Sequence, residues 1–272
     1  MKIFDCFMYF DEDLLLNLRL NILYDYVDKF IILEAKEDHQ GNKRDLKFKI
    51  NNFSKFSEKI KYIPLEKIEI DPKIKIKKNW HEGHLRDQSM RNSIAKYLND
   101  ANPDDWIIIS DLDEIPNPIK LNKFKSKYKY AFFEQKFFYY KFNIINSSNQ
   151  NWYGSRICVK KYLKSPQWLR DIKTKKRPFW KFYKAREPQL IMDGGWHFSF
   201  LKNSIDISKK IKSYAHQEYH LEKYTDIKKI EEKLNQKSDL FDRDYKYEKI
   251  DLNQDFPEYI LKNKKKFDKW II

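Results

Sequence analysis

Residues 110–116 form an acidic tip, in which Asp111, Asp113 and Glu114 come shortly after the apolar run Trp106–Ile109. Four bulky apolar residues in a row predict a buried strand, and the proline that ends the tip should stop further ladder pairing. Ligands of open α/β sheets bind beyond the carboxyl ends of strands, and clustered carboxylates suit Mg²⁺ or Mn²⁺, which hold substrate phosphates. The tip therefore predicts a site for a metal ion and a diphosphate. Because Asp-x-Asp is a common pattern, an acidic turn after a core strand is the alternative.

His197 stands in an apolar segment behind a pair of glycines. Gly194 and Gly195 are two of only five glycines in the chain, and they permit a tight backbone immediately before Trp196 and His197. A single histidine in a strand is usually a hydrogen-bonded core residue. The glycine pair and the tryptophan favour a second interpretation, in which His197 is placed for a ligand or a metal ion.

Helical spacing over residues 82–99 places three charged residues near the strand that leads into the acidic tip. Apolar residues of this segment recur every three or four positions, and Arg86, Asp87 and Arg91 lie on its other faces. Asp87 and Arg91 are one turn apart, so they could form an ordinary surface ion pair. The alternative is that Arg86, Asp87 or Arg91 reaches a nucleotide lying across the adjacent strand end.

Two further segments carry candidate ligands. Residues 204–234 are predicted to be helical, which would set Lys212 and His216 one turn apart on one face, where they could meet a phosphate together. Glu34 follows the apolar run 30–33 at another strand end, where it could contact a nucleotide base or ribose. In each case the alternative is an ordinary solvated residue.

The elements that must position these residues alternate between strands and helices. Residues 3–9 predict a first strand, Asp11 or Asp13 can cap an amphipathic helix, and residues 30–33 predict a second, parallel strand. This order predicts an α/β fold with a mixed sheet flanked by helices. Further strands are predicted over residues 60–63 and, after a short helix that follows Pro118, over residues 130–143, 152–160 and 180–184.

Aromatic residues are concentrated in the later strands. Trp152, Tyr153, Gly154 and Arg156 could wall a sugar pocket, because aromatic faces stack on the C–H surfaces of sugars. Core packing is the alternative for most of these aromatic residues.

The composition describes a chain that can bury a substantial core. It has 272 residues, of which 41% are hydrophobic and 17% aromatic, and its mean hydropathy of -0.83 argues against a membrane-spanning protein. The net charge of +15 could attract nucleic acid, anionic lipid or phosphorylated small molecules, although a lysine-rich composition alone could produce it.

The two ends of the chain and its cysteines bear on location. No export signal or anchor is evident at the N-terminus, so a cytoplasmic protein is expected, and Cys6 and Cys158 are expected to be buried thiols. Near the C-terminus, Lys262 and residues 264–266 stand beside the apolar residues 259–261. This tail could contact an anionic membrane surface peripherally, and a packed terminal helix is the alternative.

With these features in place, the chain resembles glycosyltransferase family 17, the family of the bisecting β-1,4-N-acetylglucosaminyltransferase. The most specific matches are Asp-Leu-Asp-Glu-Ile-Pro over residues 111–116 and Gly-Trp-His-Phe-Ser over residues 195–199. The remaining matching segments are residues 17–21, 27–34, 151–155, 212–218 and 239–243.

The resemblance implies a GT-A type, Rossmann-like fold, a UDP-sugar donor, transfer of N-acetylglucosamine to a glycan acceptor, and inversion at the anomeric carbon. Residues 1–216 would form the glycosyltransferase domain, and residues 217–272 would form a C-terminal helical extension packed on it. Eukaryotic members of that family have a membrane anchor and a lumenal stem; neither is expected here, which favours a cytoplasmic or viral enzyme that builds a surface glycan.

An inverting transfer needs positive charge at the departing diphosphate and a base for the acceptor hydroxyl. Asp113 is the expected ligand of Mn²⁺ or Mg²⁺, Asp111 would contact the ribose or a metal-bound water, and His197 is a further metal candidate. The candidate bases are Asp193, Glu114 and Glu134, and Asp193 ranks first because the following glycine turn could leave it open to an acceptor. The candidates for nucleotide and diphosphate contacts are Glu34, Arg86, Asp87, Arg91, Lys212 and His216.

Two other classes of protein compete with this interpretation. The basic charge and abundant tyrosine and lysine would fit a nucleic-acid-binding module, but no known nucleic-acid-binding motif is present and the acidic tip would repel a phosphate backbone unless it held a metal. The other class is a catalytically silent sugar-binding protein of the same fold. We expect a nucleotide sugar and a glycan as partners, and no specific nucleic acid.

Overall fold

The computed structural model describes residues 1–74, 81–148, 151–174 and 187–272. The strand expected over residues 180–184 lies outside these ranges. Within them, one mixed sheet is flanked by helices, which confirms the predicted α/β class. The strands are β1 (Ile3–Met8), β2 (Lys29–Ala35), β3 (Ile60–Leu65), β4 (Trp106–Ile109), β5 (Glu114–Pro116), β6 (Tyr130–Tyr139), β7 (Ile144–Asn146), β8 (Asn151–Trp152), β9 (Arg156–Val159), β10 (Gln189–Ser199) and β11 (Tyr247–Lys249).

The helices connect the strands and are mostly short. The helical segment predicted over residues 82–99 is confirmed, because a 3-10 turn over Ile94–Tyr97 extends the helix that begins at Glu82. The residue that precedes the first helix is Glu12 rather than Asp11 or Asp13, and no side chain caps that end. The helices are α1 (Asp13–Leu23), α2 (Glu82–Ser93), α3 (Pro118–Leu121), α4 (Pro166–Asp171), α5 (Ser204–Ser213), α6 (Glu222–Thr225), α7 (Ile227–Gln236) and α8 (Glu258–Lys262).

The first part of the sheet is parallel and covered on both faces. β1 pairs with β2 on one side and β4 on the other, and β2 pairs with β3 at the edge. Helix α1 packs against Phe7 and Ile32 on one face, and α2 packs against Cys6 and Leu33 on the other. Cys6 and Cys158 are both free and buried, as expected.

The later part of the sheet is mixed, and it includes part of the acidic tip. β9 runs antiparallel between β4 and β6, while β10 runs parallel to β6. Pairing is expected to stop at Pro116, and β5 does end there, but residues 114–116 of the tip form this strand and pair antiparallel with residues 195–197 of β10. Proline lacks only the N–H donor, so it can still occupy the end of a short strand. The acidic tip is therefore held between two strands.

Residues 204–234 do not form one helix. Helix α5 ends at Ser213, because Tyr214 adopts an extended backbone with φ -86° and ψ 174°. The chain then turns through a 3-10 segment before α6 and α7. Lys212 and His216 consequently do not share a helix face, which corrects the prediction that they would meet a phosphate together.

The chain beyond residue 217 packs on the rest of the molecule. Strand β11 pairs with β7 at the edge of the sheet, so this part contains a strand as well as helices. Phe256, Ile260 and Phe267 are buried in the cluster that contains the apolar face of α1. Among the residues described, no helix combines the length and the apolar character needed to cross a bilayer.

Candidate active site

The acidic tip lies at the carboxyl end of β4, in the middle of the sheet, and Arg19 of α1 holds its backbone. The fully buried guanidinium pairs with Asp5 at 2.6 and 2.7 Å and donates to the carbonyl oxygens of Asp111 and Glu114 at 3.1 and 2.8 Å. A guanidinium has five donors in a rigid plane, so one side chain can fix several carbonyl groups. Sequence reasoning missed this role, although an arginine four positions after Leu15, on the buried face of the helix, was a usable signal.

Asp111 is held by two arginines from different helices. Arg91 of α2 and Arg170 of α4 each donate to one of its carboxylate oxygens at 3.0 Å. Burial favours a raised pKa for Asp111, but Arg170 and Arg91 outweigh it and hold the pKa well below its usual range. The side chain of Asp111 is nevertheless 40% exposed. It is therefore an oriented, ionised group that a ligand can reach.

The pairing of Asp87 with Arg91 is part of this network rather than a surface ion pair. Asp87 accepts two hydrogen bonds from the Arg91 guanidinium at 2.8 and 3.0 Å, and Arg91 itself is buried. Gln167 of α4 accepts a further bond from Arg91 at 2.7 Å. Through these contacts α2 and α4 are both connected to the acidic tip.

Glu114 is buried and its two carboxylate oxygens are fully engaged. They accept hydrogen bonds from the backbone N–H of Asp111 at 2.9 Å, from Trp152 Nε1 at 2.8 Å and from Arg170 at 2.6 and 3.1 Å. A Cβ atom at Gly154 would lie 2.3 Å from Glu114 Cδ, so the close packing requires glycine there. Glu114 thus orients neighbouring groups and leaves no oxygen for an acceptor proton.

Asp113 faces two cationic or basic groups across the cleft. Lys210 Nζ of α5 lies 3.6 Å from its Oδ2, and His197 Nε2 of β10 lies 3.7 Å from its Oδ1. Burial favours a raised pKa for Asp113, but Lys210 and His197 outweigh it and lower the pKa. Lys210 also lies 3.4 Å from Glu12. Burial opposes its charge, yet Asp113 and Glu12 raise the pKa of Lys210, so the lysine stays cationic.

His197 combines features of both interpretations of the sequence. Its ring is buried and stacks on Phe137, with 4.7 Å between centroids and 7° between planes, and lies 4.6 Å from the Trp152 ring. Its Nδ1 atom has no hydrogen-bond partner among the described residues. Packing rather than hydrogen bonding therefore fixes the ring, and the other nitrogen is directed at Asp113.

These groups line one cleft with a volume of about 470 Å³. That volume lies within the usual range for small-ligand sites. The ends of β1 and β2, helices α2 and α5, and the loop around residue 216 contribute its walls. The cleft has an aromatic lining made of Tyr9, Phe10, Phe137, Tyr139, Trp152, Phe200, Tyr214, Tyr219 and Phe241.

Glu34 is placed away from the cleft. It lies inside β2 rather than in a loop and is completely buried. Its carboxylate accepts hydrogen bonds from Arg44 at 2.9 Å, from the backbone N–H groups of Lys47 and Phe48 at 2.7 and 3.1 Å, and from the Tyr62 hydroxyl at 2.9 Å. These contacts tie the following loop to the sheet and leave no face for a nucleotide.

Asp193 and Glu134, two candidate bases, also lie outside the cleft lining. Asp193 sits in a bulge of β10 with φ 49°, its side chain is 73% exposed, and Lys120 Nζ lies 3.9 Å from its carboxylate. The bulge turns this carboxylate to solvent before the strand reaches His197. Glu134 accepts a bond from the Tyr153 hydroxyl at 2.7 Å and lies on the other face of β6 from the cleft residues.

Two of the cations predicted to contact the nucleotide also lie outside the cleft lining. Lys212 is exposed at the end of α5, and Arg86 pairs with Glu82 at 3.0 Å within α2. Neither belongs to the cleft lining, whereas Asp87, Arg91 and His216 do. The structure thus brings only some of the predicted nucleotide contacts together.

Glu12, Arg170 and Lys210 line or support the cleft, but sequence reasoning did not select them. Lys210 carried a weak signal, since it directly precedes the buried Ile211 and therefore flanks the packed side of α5. Arg170 carried no local signal, because its contact with the acidic tip joins residues far apart in the chain.

The donor groups near Asp113 fit a divalent metal ion. One carboxylate oxygen and one imidazole nitrogen lie 3.7 Å apart. Two atoms bound to an ion at about 2.1 Å can be at most about 4.2 Å apart, so both can reach one ion. Asp111 fits less directly, because each of its oxygens is bonded to an arginine. Asp113 and His197 are therefore the better pair for a metal than Asp111 and Asp113.

A mixed sheet flanked by helices, with an acidic tip at the end of a central strand, has the architecture of a GT-A-like glycosyltransferase fold. The family model for glycosyltransferase family 17 matches residues 1–269, and the chain belongs to that family. No curated protein matches the chain. Family membership confirms the resemblance found in the sequence and favours a glycosyltransferase over a nucleic-acid-binding module.

Proposed function

We propose that this protein transfers a sugar, N-acetylglucosamine, from a UDP-sugar to a glycan acceptor with inversion at the anomeric carbon. The observation that carries the proposal is the ionised Asp113, which faces His197 and Lys210 at the carboxyl end of β4 in a chain of glycosyltransferase family 17. Such a group lies where nucleotide ligands of α/β sheets bind.

The cationic side chains of the cleft would offset the negative charge of the donor diphosphate. Lys210 keeps its proton because Asp113 and Glu12 raise its pKa, so it can donate charge-assisted hydrogen bonds to the leaving diphosphate. Arg91 and Arg170 would keep Asp111 ionised and aimed at the ribose.

Asp113 and His197 would hold Mn²⁺ or Mg²⁺. When bound, the ion offsets negative charge on the departing diphosphate. The packing of His197 against Phe137 and Trp152 would keep its nitrogen directed at the ion without a hydrogen bond to Nδ1.

The aromatic lining would receive the sugars. Trp152 lies beside His197 and is 37% exposed, so part of its face is open to a ligand. Tyr139 and Phe200 continue the apolar wall beyond the acidic tip. Aromatic faces of this kind stack on the C–H surfaces of sugar rings.

Titration of UDP in the presence of Mn²⁺ tests the proposal. Asp113→Asn keeps the shape of the side chain but removes the ligand charge, so UDP affinity should fall by at least about tenfold. Asp104→Asn is the control, because Asp104 is exposed at the other end of β4. Unchanged UDP affinity in the Asp113 variant would contradict the assignment of Asp113 as a metal ligand.

Turnover distinguishes an enzyme from a silent binding protein. UDP-N-acetylglucosamine should be hydrolysed slowly with Mn²⁺ and should not be hydrolysed after chelation. UDP-glucose and UDP-galactose in the same assay test the sugar specificity, and the anomeric form of the first product tests inversion. UDP binding without hydrolysis or transfer would favour the catalytically silent alternative.

A further inference from the structure

Three potential metal ligands converge at the mouth of the cleft, on residues that the proposed transfer does not need. His84 comes from the first turn of α2, while His216 and Glu218 come from the loop after α5. Each offers one ligand atom, and all three atoms lie within 4.8 Å of one another. Within the part of the chain that is described, this is the one group of at least three histidine, cysteine or acidic residues whose spacing suits a metal ion.

The fold brings these two segments close together. A Cβ atom on Gly83 would lie 3.0 Å from the carbonyl oxygen of Ala215, so glycine allows α2 to approach the loop. Gln40 bridges the same gap, because its Nε2 donates to the carbonyl oxygen of Tyr214 at 2.6 Å and its Oε1 accepts from Gln217. The three candidate ligands therefore lie on a packed junction rather than on independent surface segments.

Two pairs of the candidate ligands are already in direct contact. His216 Nδ1 lies 2.7 Å from Glu218 Oε1, and the rings of His84 and His216 are 4.9 Å apart at 81°. Metal ligands must be deprotonated, and imidazole and carboxylate groups are both common ligands in that state.

We propose that His84, His216 and Glu218 bind a divalent transition-metal ion of the zinc class, at a site separate from Asp113 and His197. Two imidazoles select zinc, cobalt, nickel or copper over magnesium, because nitrogen ligands are softer than oxygen ligands. Zinc binds such atoms at about 2.0–2.2 Å, so the ligand atoms need only move by about 1 Å to share one ion. Three protein ligands leave a fourth position for water or a ligand group.

An ion at this site would join α2 to the loop at residues 215–219. Both segments line the cleft, so the ion would fix the width of its mouth. It would also stabilise the folded protein in proportion to its affinity and concentration. The site predicts that zinc changes the protein independently of any nucleotide.

Zinc titration of the full chain without nucleotide tests the proposal. His216→Ala and His84→Ala should each weaken zinc binding by more than about 100-fold, because even residues that only orient metal ligands are worth 10- to 100-fold. His220→Ala is the matched control, since it removes an imidazole four positions from His216 that is not part of the cluster. Melting curves with and without zinc report whether each variant is folded.

The Asp113→Asn variant separates this site from the proposed nucleotide site. It should keep the zinc affinity of the natural chain, and Co²⁺ bound to it should show the visible absorption of a low-coordinate site that disappears in His216→Ala. The proposal is overturned if Asp113→Asn loses the zinc, if the His216 variant binds zinc as tightly as the His220 control, or if the natural chain binds none. None of these results depends on UDP binding or transfer.

Discussion

The acidic tip and the cleft mouth are both built from ionisable side chains, but the protein supports them differently. At the tip, Arg19 donates hydrogen bonds to backbone carbonyl oxygens. Arg91 and Arg170 each donate to one carboxylate oxygen of Asp111. At the mouth, His216 and Glu218 bond to each other and are 52% and 46% exposed in their side chains. The tip is a buried network, whereas the mouth is a junction of two segments at the surface.

Because of this difference, mutations in the two regions should have different effects on the protein. Charges in a buried network depend on one another, so removing one leaves others uncompensated. Exposed groups can lose a partner and gain water instead. Changes at the tip should therefore reduce stability, and changes near the mouth should alter ligand binding while the fold remains intact.

Removing the guanidinium of Arg19 should have the largest effect. Arg19→Met leaves the carboxylate of Asp5 buried without its partner and frees the carbonyl groups of the tip, so the free energy of unfolding should fall by about 3–5 kcal/mol. Denaturant unfolding measures the loss. Arg86→Met is the control, because its pair with exposed Glu82 should be worth less than about 1 kcal/mol. Similar losses in the two variants would contradict the comparison.

Replacing a glycine with alanine should reduce stability more at the acidic tip than at the cleft mouth. In Gly154→Ala the new Cβ would lie 2.3 Å from Glu114 Cδ, which should cost about 1–3 kcal/mol as the buried network shifts. In Gly83→Ala the nearest atoms are 3.0 Å away, and one of them belongs to the flexible Gln40 side chain. The melting temperature should therefore fall more in the first variant, and the reverse order would show that the mouth is the stiffer region.

Two neighbouring lysines test whether orientation or general charge matters for the donor. Lys210→Met should weaken UDP binding with Mn²⁺ by about tenfold, since a charge-assisted hydrogen bond is worth about 1.5–3 kcal/mol and other cations remain. Lys212→Met removes the same charge from an exposed position and should leave the affinity unchanged. Calorimetric titration measures both, and equal losses would point to a nonspecific field effect.

The smallest expected effect is the pH dependence contributed by Asp111. Burial opposes its ionisation, but Arg170 and Arg91 lower its pKa in the folded protein, so its stabilisation is present above the unfolded pKa of about 3.9 and is lost as pH falls further. Asp111→Asn should be less stable at neutral pH, and the difference should narrow in acid. Because the side chain is partly exposed, the whole effect should stay near 1 kcal/mol. Unfolding curves that remain parallel from neutral pH into acid would count against this role.

Local patterns predicted much of the fold. Five elements were predictable from such patterns: β1, β2 and β4 from their apolar runs, and α1 and α2 from their helical spacing. Burial on one or both faces leaves a recognisable pattern of apolar residues in the sequence. The break at Tyr214 was not predictable in this way. The segment around it keeps helical spacing, and the extended conformation comes from its packing against Gln40 and α2.

The sequence by itself determined the acidic tip and its strand, because an apolar run followed by carboxylates is a local feature with few possible structures. The family motifs likewise identified glycosyltransferase family 17. Only the tertiary structure decided which charges face the cleft. It selected Lys210 over Lys212, brought Arg170 to Asp111, and turned Asp193 to solvent. Long-range packing and a single bulge set these directions, and neither has a periodic signature in the chain.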